Sequence, residues 1–464
     1  MPVSLPDEVK AAEIKGAEPE RIPLLSRRFM IEKFFPWMTK GGLALLDFGL
    51  YSGSNFLLGI LLARWMAPEQ YGAYALVFSI FILVTFLYQA MLLEPLSVFS
   101  GTTYSKNLRG YLKSNFWLHW GVSAIICVVM AITAIVARSY SHTAAMAFAG
   151  MTAATPFILI HALGRRSFYL KLSPGPAAFG SSFYCILVVS GSFLIYKLGW
   201  LTAFSAFLTM GFAALVGGVI MLFQLQAKLE PATAEMHLSE TWKKHWEYGK
   251  WALGTCIVGW IPTYVYIPLV SKFSGLAVTA ELRALMNLGG PVLQTYAALS
   301  MLFLPFAARV QGSEGRAGSS ALTRKLTALF VAGAIAYWIV LIPLRRPLFN
   351  LLYAGKYMDA SSLLPLFAAE TIIWSAALGP AIVLRAMEYP RSLFFANGAA
   401  SVVAILVGIP ATRYFGLRGV IWSMVLANVL YVAVAFLLLE RKLATLKVAE
   451  AGVGVPCQAQ EAAL

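Results

Sequence analysis

The sequence predicts an all-α polytopic membrane protein with about 12 transmembrane helices. Two observations predict it. Hydrophobic residues make up 59% of the chain and charged residues 12%, against about 25% charge in an ordinary soluble domain; the mean hydropathy is +0.73. Apolar runs of about 20 residues or more recur along the chain, each long enough to cross a hydrocarbon core of about 30 Å as a helix. A transmembrane β-barrel would instead show short alternating segments, and the sequence does not.

The spans are expected at 41–63, 73–98, 114–137, 143–164, 176–197, 201–224, 249–271, 281–308, 324–344, 361–385, 391–412 and 417–439. An even number puts both termini on one side, and the basic residues choose the side. With the N-terminus inside, inner segments hold 26 of the 36 Lys and Arg and outer segments hold 10, so both termini are predicted inside the cell. The net charge of +15 then follows from topology and anionic headgroups, and nucleic acid is not needed to explain it. The polar opening of the chain has no early apolar core and reads as a cytoplasmic tail. "SRRFMIEKFFPWMTK" reads as an interfacial helix leading into the first span.

The domain organisation follows: 1–40 a cytoplasmic tail with its interfacial helix, 41–224 an N-terminal six-helix bundle, 225–248 a cytoplasmic linker, 249–440 a C-terminal six-helix bundle, and 441–464 a second tail. The halves show a weak ordered repeat. "HALGRRSFYLKLSPGPAAFG" from His161 matches "AIVLRAMEYPRSLFFANG" from Ala381, and "LGILLARWMAPEQYGAYAL" matches "IPLVSKFSGLAVTAELRAL". A parallel repeat of this kind implies a pseudo-two-fold axis along the membrane normal. All loops are short, so any chemistry has to occur within the membrane. Cys127, Cys185 and Cys256 fall in apolar runs and Cys457 in the tail, without metal or redox spacing; they read as buried neutral thiols, and neither metal nor cofactor is expected.

Polar residues at membrane depth are the candidate functional residues. Asp47, Tyr51 and Asn55 stand at i, i+4 and i+8, which puts them on one face of span 1. Arg283, Asn287 and Gln294 share a face of span 8. In span 7, "WIPTYVYIP" places Tyr264 and Tyr266 around Pro262 and Pro268, which remove backbone donors and mark a hinge. These stripes suit a water-filled cavity with moving walls. Plainer readings compete: an interhelical or capping bond for Asp47, and an interface position or a pair with Glu281 for Arg283.

At the inner mouth, Arg165, Arg166, Arg385 and Arg391 form two basic clusters. They either capture a diphosphate in bidentate fashion or only set topology. "YQAMLLEPLSVFS" carries Glu94-Pro95 at the inner end of span 2. Pro95 frees the carbonyl of Met91. The expected partner for Glu94 and that carbonyl is Arg165 or Arg166, making an inner-mouth lock.

Five segments carry a family resemblance: "NFLLGILLARWMAPEQYGAYAL", "LLEPLSVF", "YGKWALG", "LRALMNLGGPVLQ" and "LYAGKYMDASSLLPL". Over about residues 41–440 the chain resembles the polysaccharide-exporter and O-antigen flippase branch of the multidrug/oligosaccharidyl-lipid/polysaccharide transporter superfamily. The resemblance implies two six-helix bundles forming a V around a central cavity, with alternating access. It implies a polyprenyl-diphosphate-linked oligosaccharide as cargo, carried from the inner to the outer leaflet of the cell membrane. Membrane lipids, and polysaccharide polymerase or export machinery, are the expected partners.

A multidrug or cation antiporter of the same superfamily is the alternative. It would want acidic residues deep in the cavity, and only Asp47, Glu94 and Glu370 are deep acids. A membrane glycosyltransferase would need catalytic groups on a substantial outer loop, and a channel would need a filter; the sequence offers neither, and the chain does not read as an enzyme.

Overall fold

The computed structural model describes residues 35–227, 236–389 and 391–450. The stretch from Arg27 to Lys33, part of the linker, and Cys457 lie outside the described residues. The first half of the chain supplies α1 Phe35–Trp65, α2 Pro68–Tyr88, a π-helical turn Gln89–Leu93, α3 Glu94–Gly101, α4 Leu108–Ala137, α5 His142–Leu170, α6 Pro174–Lys197 and α7 Ala203–Ala227. The second half supplies α8 Leu238–Tyr264, α9 Tyr266–Phe273, α10 Leu276–Leu341, α11 Arg345–Tyr353, α12 Leu364–Ala376, α13 Leu378–Ala386, α14 Arg391–Leu406 and α15 Gly408–Glu450. The chain is an all-helical, multi-pass membrane protein.

Among the described residues nine helices are long and apolar enough to cross a membrane, or ten when α8 and α9, bent by 51°, count as one span. The expected twelve differ from this count in three places. The predicted span 281–308, and all but the last three residues of 324–344, fall within the 66 residues of α10. A straight helix of that length would measure about 99 Å, three times the hydrocarbon thickness. Gly315 breaks it with φ 55° and ψ −136°. Tyr296 Oη donates to Phe330 O and Tyr337 Oη to Leu288 O, so the two arms lie side by side and antiparallel. The predicted span 391–412 is interrupted after Leu406, and a second positive-φ glycine, Gly416, breaks α15. The third place is the bend at Val265, between Pro262 and Pro268. That bend lies where the sequence puts the hinge.

In the first half α5 packs on α2, α4 and α7, and α1 packs on α6; in the second, α10 packs on α12 and α13, and α15 on α9, α12 and α14. Contacts between the two sets run chiefly through α2 and the π-helical turn, against α8, α9 and α10. Without a hydrophobic drive between helices in lipid, such contacts rest on close backbone approach and on hydrogen bonds. At Gly72 the approach is extreme: an added Cβ would stand 1.8 Å from Leu276 O. At Gly249 it would stand 2.9 Å from Ala90 O.

Proline supplies a second kind of contact. A proline inside a helix leaves the carbonyl four residues back without its donor, and lipid offers no water to replace it. Four carbonyls that stand four residues before a proline accept from a side chain on another helix; Pro156 and Pro262 lie inside their helices, Pro95 and Pro380 in the first turns of α3 and α13. His245 Nδ1 stands 3.1 Å from Met91 O, below Pro95. Cys127 Sγ donates to Thr152 O, below Pro156. Ser401 Oγ donates to Val258 O at 2.9 Å, below Pro262. Thr327 Oγ1 donates to Ala376 O, below Pro380. The three cysteines among the described residues are free and half-buried, less enclosed than their apolar runs suggest.

His245 corrects the expected lock. The Met91 carbonyl is met by an imidazole of α8, and Tyr111 Oη lies 2.7 Å from His245 Nε2 and 3.3 Å from Pro95 O. Neither Arg165 nor Arg166 serves it. Glu94 is half-buried and has no ion pair among the described residues. The reason is geometric: the π-helical turn that precedes Glu94 packs against α8, which brings His245 to Met91 O.

Gly72→Ala is expected to force α2 and α10 apart or to cost about 1–3 kcal/mol through overpacking. A lower unfolding temperature of the purified protein, or a lower yield of monodisperse protein, checks this; wild-type behaviour in both would contradict the close approach.

Candidate functional site

The polar face of span 1 is real, but its members do different work. Asp47 is fully buried. Its Oδ2 accepts from Arg165 Nη2 at 2.8 Å and from Tyr169 Oη at 2.7 Å, and its Oδ1 accepts from Arg165 Nε at 3.1 Å and from Ser181 Oγ at 2.5 Å. A carboxylate has about four acceptor directions, and here they are taken by α5 and α6. Asp47 is therefore an interhelical bond, the plainer of its sequence readings.

One turn on, Tyr51 lies between two partners. The Arg165 guanidinium sits 4.4 Å from its ring centroid, and the ring stacks on His161 at 5.4 Å. Asn55 closes the cluster: its amide donates to Tyr51 O, and its Oδ1 accepts from Tyr184 Oη at 2.8 Å. His161 is fully buried, and neither ring nitrogen has a partner at hydrogen-bonding geometry, although the Gly180 carbonyl faces the ring.

Two adjoining cavities open from this cluster. The central one, about 480 Å³, is lined from the first half by Tyr51, Asn55, Phe78 and Thr85, and from the second by Tyr264, Arg283, Asn287 and Gln294. The vestibule, about 310 Å³, is lined by Tyr51, Thr85, Tyr88, Gln89, Arg165, Arg166 and Tyr169 among others. Tyr51, Thr85 and Ile158 belong to both. Among the described residues, none that lines either cavity is acidic.

Arg283 is half-buried, with its guanidinium 5.4 Å from the Phe78 ring centroid. It makes no ion pair among the described residues, so the expected pairing with Glu281 is absent. Asn287 Nδ2 donates to Tyr71 Oη at 2.8 Å. Gln294 is exposed to the cavity.

Six of the predicted cavity residues thus meet in one cavity: Tyr51, Asn55, Tyr264, Arg283, Asn287 and Gln294. Tyr266 does not. It is fully buried with its hydroxyl 3.2 Å from Ser423 Oγ, because the bend at Val265 turns it toward α15. Arg165 and Arg166 line the vestibule together, and the Arg166 Nε is buried without a partner. Arg385 and Arg391 do not join them. Arg385 Nε donates to Ala381 O of its own helix, Arg391 is exposed at the start of α14, and neither lines the central cavity or the vestibule.

The residues missed from the sequence are His161, Tyr169, Ser181 and Tyr184. A signal for two of them exists: His161, Arg165 and Tyr169 stand at i, i+4 and i+8, the same one-face spacing that marked span 1. Ser181 and Tyr184 carry no such mark.

Arg165→Leu leaves Asp47 buried and uncompensated, at a cost of about 3–5 kcal/mol. The double variant Asp47→Leu with Arg165→Leu is expected to be more stable than Arg165→Leu alone. Thermal unfolding of the four proteins of the cycle checks this, and additive losses would contradict a coupled pair.

No family model matches the chain, and no curated protein matches it. Solved structures do. An inward-facing multidrug resistance MATE family transporter of the MOP superfamily is similar with a TM-score of 0.74 at 13% identity, covering 87% of this chain and 99% of that one. The lipid II flippase MurJ in an inward closed conformation has a TM-score of 0.64 at 16% identity, covering 86% and 87%. A MOP superfamily transporter from Pyrococcus furiosus, described for the reverse polarity of its binding pocket, has a TM-score of 0.61 at 14% identity, covering 87% and 94%. At these identities the likeness is one of fold: the chain has the helical fold shared by MATE transporters and MurJ.

Proposed function

We propose that this protein is a flippase that moves an anionic lipid-linked oligosaccharide from the inner to the outer leaflet of the cell membrane, for surface polysaccharide biosynthesis. The carrying observation is the charge of the cavities. Among the described residues, Arg283 faces the central cavity without a carboxylate partner, Arg165 and Arg166 line the vestibule, and no acid lines either. Asp47 is neutralised by Arg165. What remains is positive potential beside amides and aromatic rings. A diphosphate suits the guanidinium groups. The sugars suit Asn55, Asn287, Gln294, Tyr51 and Tyr264.

In this reading the two arms of α10 are separate spans, and α14 continues through the start of α15 as another. That makes twelve crossings in two bundles, 41–224 and 249–440, with both termini inside, as the basic residues prefer. The lipid tail stays in the bilayer while the head crosses, and the halves alternate in opening to the two sides. The membrane potential, inside negative, favours outward movement of an anion by about 2.3 kcal/mol per charge at 100 mV.

One observation favours the cation antiporter instead. Glu370 sits between α12 and α15, bonded to Asn428 Nδ2 at 2.8 Å and to Thr371 Oγ1 at 3.1 Å, without a cation partner among the described residues. A multidrug resistance transporter and a lipid II flippase both occur among the structural neighbours.

Reconstituted liposomes decide between them. Flipping of a polyprenyl-diphosphate-linked oligosaccharide is expected, reduced at least about tenfold in Arg283→Ala, the scale of a lost charge-assisted bond, with the variant still present in the membrane. Efflux of cationic dyes without lipid flipping would establish the antiporter. A second assay varies pH and sodium: Asp47→Asn should alter the dependence if Asp47 carries a coupling ion, and an unchanged dependence would exclude it.

A further inference from the structure

Two of the segments that carry the family resemblance meet in space. "NFLLGILLARWMAPEQYGAYAL" contains the end of α1 and the start of α2, and "LYAGKYMDASSLLPL" follows α11. They join at the end of the molecule predicted to face outward. The last carbonyls of a helix have no partner of their own. At the end of α1, three of them accept from the second half. Lys356 Nζ donates to Arg64 O at 2.6 Å and to Met66 O at 2.7 Å, and Tyr357 Oη donates to Ala63 O at 3.3 Å. The contact is reciprocal: Arg64, in the last turn of α1, donates through its guanidinium to Leu351 O near the end of α11. Each helix terminus is thus capped by a cation from the other half, where the helix dipole favours positive charge.

Behind this clasp lies a buried column of tyrosines. Tyr71, Tyr353 and Tyr357 are almost wholly enclosed. The Tyr357 ring lies 6.2 Å from Tyr71 and 5.6 Å from Tyr353. Tyr353 Oη donates to Ala284 O at 2.9 Å. Tyr71 Oη accepts from Asn287, whose amide borders the central cavity one turn from Arg283. The column therefore runs from the cavity wall to the clasp without a break.

We propose that the reciprocal capping by Arg64 and Lys356 is a latch closing the outer end, and that Tyr71 is a positioning residue linking this latch to occupancy of the central cavity. A ligand oxygen that accepts from Asn287 Nδ2 replaces the Tyr71 hydroxyl. Tyr71 then loses its bond to Asn287, the Arg283 guanidinium that also faces its hydroxyl turns to the same ligand, and the ring that supports Tyr357 is freer to move. An anionic headgroup drawn to Arg283 is placed to do this. The ligand part of the inference rests on the flippase reading; the latch does not.

The test measures the distance between spin labels at Ala67 and Asp359, both exposed on the two sides of the clasp. It uses the full chain in lipid nanodiscs, with its native cysteines replaced by serine. Ligand-free protein should show mainly the short distance. Lys356→Met should raise the ratio of separated to closed molecules about fivefold, the size of one lost charge-assisted bond at an exposed site. Lys356→Arg should keep the wild-type distribution. Tyr71→Phe, which keeps the ring and removes only the hydroxyl, should also raise the separated fraction without ligand. A synthetic polyprenyl diphosphate should open the wild type and add nothing to Tyr71→Phe, with binding followed in parallel by native mass spectrometry. An unchanged distribution in Lys356→Met would overturn the latch. An unchanged ligand-free distribution in Tyr71→Phe, or polyprenyl diphosphate that binds and leaves the wild type closed, would overturn the link. Failure of the probe to bind would count against the flippase reading, and the ligand-free variants would still decide the latch and the role of Tyr71.

Discussion

A polar group carried to membrane depth has to find its partner inside the protein, because lipid supplies none. The rest of this structure depends on that constraint. Four carbonyls that stand four residues before a proline accept from a neighbouring helix: His245, Cys127, Ser401 and Thr327 are the donors. Prolines that would only weaken isolated helices become fixed points between helices. The bend of 51° between α8 and α9 falls where Pro262 and Pro268 stand six residues apart in one span. It sets the direction of Tyr264, toward the cavity, and of Tyr266, toward α15.

The same constraint separates two of the carboxylates at membrane depth, Asp47 and Glu370. Asp47 is enclosed by Arg165, Tyr169 and Ser181, so it holds α1, α5 and α6 together and contributes little negative potential outward. Glu370 has only neutral donors. The cavities are left with unpaired guanidinium groups. That is why their chemistry points to an anionic head, while Glu370 keeps the cation-linked alternative in view.

Much of the architecture was legible in the sequence. Apolar runs located the membrane helices closely, since a 20-residue apolar stretch has few other places to go. The number of separate helices was less legible. Gly315 and Gly416 break long helices with positive φ, and nothing in a run of glycines marks which will do so. The cavity was partly legible: the i, i+4 spacing put Tyr51 with Asn55 and Arg283 with Asn287 on their faces correctly. It could not say that the two faces confront each other, nor that Asp47 at the start of the first stripe is withdrawn into a bond with α5.

By itself, then, the sequence determined that the chain is helical, lies in the membrane, carries polar stripes on spans 1 and 8, and bends in span 7. These follow from local quantities: hydropathy, helical spacing and the missing proton of proline. Only the tertiary structure decided the partners. Met91 O meets His245 from 154 residues away, and Lys356 reaches Arg64 O across 292. Glu94-Pro95 gave no local sign that an imidazole, and not an arginine, would answer it. A hydrogen bond is selected by distance and angle within a few tenths of an ångström, and spacing along one helix carries no information on which other helix will bring the donor there.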